Sequence, residues 1–66
     1  MDEFYIGLET GLFLSRSVEE IKTLDKEYLR VRLSTLVIAS QIAKDGSFTQ
    51  QRIKTYIEAI KQCIKE

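Results

Sequence analysis

Histidine, proline and tryptophan are missing from this chain of 66 residues, which also holds only one cysteine and three glycines. Each scarcity removes a possibility. A single cysteine excludes an internal disulfide. Without histidine, a zinc site of the usual thiolate or imidazole kind cannot be assembled within one chain. General acid–base work would fall to carboxylates, lysines, tyrosines or Cys63, and no serine or threonine has a base placed beside it by sequence. Gly7, Gly11 and Gly46 stand apart, with no lysine where a phosphate-binding loop needs one. No catalytic, metal-binding or cofactor-binding residue is therefore expected, and no small-molecule substrate. The chain reads as a non-enzymatic protein.

Charge of a prevailing sign is also lacking. Ten basic and ten acidic residues cancel, so the chain has no overall positive field of the kind that phosphate backbones select. Long apolar runs are absent as well. Residues 4–14 are far too few to cross a bilayer, and Glu9 interrupts them. An acidic start and the absence of lysine before Arg16 argue against anionic lipid and against a secretory signal. A soluble, cytoplasmic protein is expected, and the unpaired cysteine suits a reducing compartment.

What is present is enough to fold. With 44% hydrophobic and 30% charged residues, disorder is not indicated. A chain this short makes one domain, 1–66, with a marginal core. Lacking disulfide and metal, it must rely on regular helix packing and on association.

The most regular feature is a seam. Ile21, Leu24, Tyr28, Val31, Thr35, Ile38 and Ile42 step alternately by three and four, the spacing of a helix that meets another helix. A second stripe runs beside it through Leu29, Leu33, Leu36 and Val37, extended by Ala39 and Ala43. A helix in a hairpin needs one apolar face, and this one has nearly two. A second copy of the chain is expected to cover the surplus in a four-helix core, or else a helix of another protein.

Capping residues set the expected boundaries. Ser17 with Glu20 has the form of a capping box, so a helix starts at about residue 18. It should end near Lys44, with Gly46 as the left-handed closing residue. The next helix, about 49–65, starts either at a Thr49 cap stapled by Phe48 and Ile53, or slightly earlier at Ser47 paired with Gln50. Its seam is Ile53, Ile57, Ile60 and Ile64, flanked by Tyr56, Ala59 and Cys63. Residues 1–16 are a short helix or a partly ordered segment. Phe4, Leu8 and Leu12 lie one above another there, while Gly7 and Gly11 either fray the helix or form a smooth track for another backbone. The fold expected is all-α: an antiparallel helical hairpin, 18–44 and 49–65, after a short N-terminal helix, and completed by dimerisation.

Two functions fit these residues. The first is a protein–protein interaction module, such as an adaptor, a chaperone-like cap, or an inhibitor or antirepressor. It would act through Ile21, Leu24, Tyr28, Val31, Leu33, Leu36, Val37, Ile38, Ile42, Ile53, Ile57, Ile60 and Ile64. The second is a DNA-binding regulator, because residues 41–57 have the cadence of a helix-turn-helix. Thr49, Gln50, Gln51, Arg52 and Lys54 would then meet bases and phosphates. Against it, Gly46 stands where such turns carry an apolar residue, Ser47 takes the glycine's place, and the preceding helix is long. Lys44, Arg52, Lys54, Lys61 and Lys65 do outnumber Asp45 and Glu58 in that half.

Overall fold

Local capping chemistry sets the helix boundaries in the computed structural model, which describes residues 3–65. Four helices follow one another: α1 (Glu3–Leu14), α2 (Val18–Ile21), α3 (Lys26–Ile42) and α4 (Phe48–Lys65), with no strand among the described residues. The Ser17 hydroxyl accepts from the Glu20 amide at 3.2 Å, so α2 starts where the capping box predicts.

The helix expected over 18–44 is interrupted. The Thr23 hydroxyl donates to the Glu20 carbonyl at 2.7 Å. The amides of Thr23 and Leu24 close tight i→i+3 bonds onto Glu20 and Ile21. Asp25 is then extended, and the chain restarts at Lys26. Threonine favours such a break, because its hydroxyl bonds the helical ladder's own carbonyl, whereas the Asp25 carboxylate makes no cap bond.

The connection between α3 and α4 departs from expectation in detail. The helix closes at Ile42, with the Ala43 amide donating to Ala39, so Lys44 lies beyond it. Ser47 donates its amide to the Lys44 carbonyl across a turn in which Gly46 has φ of +77°. Only glycine takes that conformation without strain. The Ser47 hydroxyl then accepts from the Gln50 amide at 3.1 Å, so α4 begins at Phe48 and the earlier of the two starts is the one used. The Phe48–Ile53 staple does not form, since Phe48 opens the helix and is 76% exposed while Ile53 is buried.

Packing joins α3 to α4 as a hairpin, lays α1 against α3, and sets the single turn of α2 on α4. Phe13 sits where α1, α3 and α4 meet. Its ring lies 6.3 Å from Tyr28 and 6.2 Å, edge-on, from Tyr56, a favourable aromatic arrangement. The same core contains Ile6, Ile21, Leu29, Leu36, Ala39, Ile53, Ile57 and Ile60. Burial of Ile6, Thr10 and Phe13 holds α1 helical through both glycines, because tertiary packing outweighs propensity in short helices. The α1–α2 loop is tied down from α4: Tyr56 donates to the Arg16 carbonyl at 2.6 Å and Arg52 to the Leu14 carbonyl at 3.0 Å.

Candidate interaction surface

At about 100° per residue, the side chains of α1 separate into four strips. Ile6, Thr10 and Phe13 face the core. Glu9 occupies one flank and pairs with Arg32 of α3 at 2.9 Å. The guanidinium of Arg32 also lies 5.3 Å from the Tyr28 ring centre. Gly7, Gly11 and Leu14 form the opposite flank. Phe4, Tyr5, Leu8 and Leu12 point outward, with exposures of 78%, 47%, 51% and 58%. Between residues 4 and 14, Glu9 is the only charged residue in the sequence. The outward strip of α1 is therefore apolar along its length and carries no charge, which is unusual for a helix facing water.

The glycine flank opens onto a groove of about 260 Å³ between α1, the end of α3 and the start of α4. Its walls are Ile6, Gly7, Gly11, Leu14, Ala39, Ile42, Ala43 and Ile53, with Thr10 and Thr49. The Thr10 hydroxyl is buried and has no hydrogen-bond partner among the described residues. Neither glycine has a positive φ, and a Cβ added at either position would meet nothing within 4 Å. Inside a helix each costs about 1 kcal/mol relative to alanine. Nothing among the described residues requires them.

The seam read from the sequence is divided by the fold. Ile21, Leu36, Ile53, Ile57 and Ile60 are sealed inside the chain's own core, and Leu24, Leu33, Ile38 and Ile64 pack against it half-buried. Tyr28, Val31, Val37 and Ile42 are exposed. Within α3 the inward stripe is Leu29, Thr35, Leu36 and Ala39, so only part of the seam remains accessible to a partner.

The residues suited to DNA are also distributed differently from expectation. Gln50 is buried, accepting from the Gly46 amide at 2.8 Å and donating to the Ser40 carbonyl at 2.9 Å. Gln51 donates to the Gly46 carbonyl at 3.2 Å. Arg52 is engaged with Leu14 and lies 6.0 Å from the centre of the Tyr56 ring. Thr49 and Lys54 are exposed, and Thr49 lines the apolar groove.

A second, larger cleft of about 580 Å³ lies at the other end of the molecule, where Lys22, Lys26 and Gln62 surround half-buried Cys63. No group of three potential metal ligands occurs among the described residues. None of the described helices is long and apolar enough to cross a membrane. The sequence marks Gly7 and Gly11, four apart, as a weak point of the helix or a track for another backbone, but it does not place α1 among the interaction residues or choose its outward face. Comparison with protein families, curated proteins and solved structures finds no match.

Proposed function

We propose that this protein is a small, non-enzymatic interaction module that docks a helix on the outer face of α1. The observation that carries the reading is the uncharged outward strip of Phe4, Tyr5, Leu8 and Leu12. Water leaves a strip of that kind at a gain of roughly 25 cal/mol per Å² once another apolar surface covers it. The neighbouring groove and glycine flank favour a helix as the covering element, since glycines let a backbone approach closely. An adaptor, an inhibitor and an antirepressor would all act in this way, and the fold does not choose among them.

The helix-turn-helix alternative has less support. Its most informative side chains, Gln50 and Arg52, already have partners inside the chain, and base reading would require both to be released.

Photo-crosslinking in living cells tests the docking reading. Benzoylphenylalanine in place of Leu8 is expected to give a discrete adduct, while the same group in place of Lys61 on α4 gives none. Lys61 is a suitable control because its side chain is 56% exposed. Equal labelling from both positions, or none from position 8, would sink the reading.

A further inference from the structure

We infer that the occupant of the α1 face is a second copy of this chain, packed through the glycine flank of its own α1. The inference rests on the docking function proposed above and names the partner. Its basis is self-complementarity. A two-fold contact presses the same patch of each copy against itself, so the patch must carry both a projection and its recess. On α1 these lie side by side. Leu8 and Leu12, continued by Phe4, make a ridge of residues four apart, and Gly7 and Gly11 make a furrow of the same spacing. Ridges of that spacing settle into furrows of that spacing at a crossing of roughly −50°. A two-fold axis then places each copy's leucine ridge in the other's glycine furrow.

Three further observations agree. Beyond the helix's own backbone, no atom of the described residues comes within 4 Å of a Cβ placed at Gly7 or Gly11, so the helix penalty of the pair is matched by no packing contact among them. The Thr10 hydroxyl, on a residue 5% exposed at the wall of the same groove, lacks a partner among the described residues. Its oxygen is sealed from solvent in the single chain, so a partner's polar atom would reach it only as the groove opens to seat the second backbone. Finally, the outward strip and the glycine flank carry no charge between residues 4 and 14, since Glu9 stands on the opposite flank paired with Arg32, so this stretch brings no like charges together in a two-fold contact.

Exposed side chain on Phe4, Tyr5, Leu8, Leu12 and neighbouring Ile42 amounts to roughly 500 Å² per copy, scaled from aromatic areas of 150–250 Å². That is below the ~800 Å² per partner of a standard interface. A weak, reversible dimer is therefore expected, populated somewhere between roughly micromolar and millimolar chain concentration.

Sedimentation equilibrium of the full chain from about 1 µM to about 1 mM reads the association. The decisive variant is Gly7→Ala with Gly11→Ala. It has room for both methyls in the isolated chain and improves helix propensity, so its melting midpoint in dilute solution should rise. Its dimer dissociation constant should nevertheless increase about tenfold or more. Opposite signs in the two readouts are what a backbone seated on the glycines produces. The proposal is overturned if the wild type stays monomeric throughout, or if the alanine variant dimerises as tightly as the wild type. A monomeric wild type whose position 8 still crosslinks a different protein leaves the docking function standing and removes the second copy. Association without any adduct from position 8 removes both.

Discussion

The Gln50 carboxamide holds three parts of the α3–α4 connection together. Its oxygen accepts from Gly46, its nitrogen donates to Ser40, and its own amide is capped by Ser47. Replacing it by alanine deletes two side-chain bonds and leaves a part-buried amide and carbonyl with no partner. Gln50→Ala is expected to cost about 2 kcal/mol, lowering the melting midpoint by roughly 10 °C in a domain this small. Circular dichroism melts would measure it, and an unchanged midpoint would show that the turn holds without the glutamine. A serine followed three residues later by a glutamine was legible as a cap. The reach to Ser40, ten residues back, was not, because it depends on how α3 and α4 come together.

At the scale of elements, α3 shows why an apolar repeat is an incomplete instruction. Two stripes share the same heptad spacing in different phases: Tyr28, Val31, Thr35, Ile38 and Ile42, and beside it Leu29, Leu36 and Ala39 with Leu33. Both are apolar, so periodicity identifies the helix without choosing its inward face. The choice is made by the break at 22–25, which uncouples Ile21 and Leu24 from the phase of α3. It is made also by Phe13, whose ring takes Tyr28 to the edge of the core. Asp25 before a Lys-Glu first turn was a visible start signal that the continuous seam concealed. The two phases separate in mutants. Leu36→Ala should destabilise by 2–5 kcal/mol, as buried leucines do. Val31→Ala, at a site 55% exposed, should stay within about 0.5 kcal/mol. Urea unfolding of the pair gives the comparison, and similar losses at both sites would place Val31 inside an interface at the concentration used.

The whole molecule exposes 4514 Å², against about 4,300 Å² expected for a folded monomer of this mass. Its radius of gyration of 11.1 Å matches the roughly 11 Å of a compact chain of this length. The chain's own α1 covers one side of α3, while Val31, Val37 and Ile42 of the stripes expected to meet a partner stay exposed. All-helical architecture and the hairpin were legible because caps and 3.6-residue periodicity are local. The α1 surface was not, because which side of an all-round apolar helix faces out is settled only by what packs on the other side. Salt then discriminates the two functional classes at this scale. An uncharged apolar patch owes little to screened charge, so the self-association constant should change by less than about twofold between 0.05 and 0.5 M sodium chloride. Binding to a phosphate backbone falls steeply over such a range, by roughly a power of salt for each phosphate neutralised. With a formal net charge of zero and Gln50 and Arg52 engaged internally, no retention on duplex DNA is expected even at the low end. Fluorescence anisotropy with labelled duplex, run beside sedimentation at the same salts, reads both quantities. Salt-insensitive association with no duplex binding is the expected pair, and salt-sensitive retention on DNA would return the function to α4.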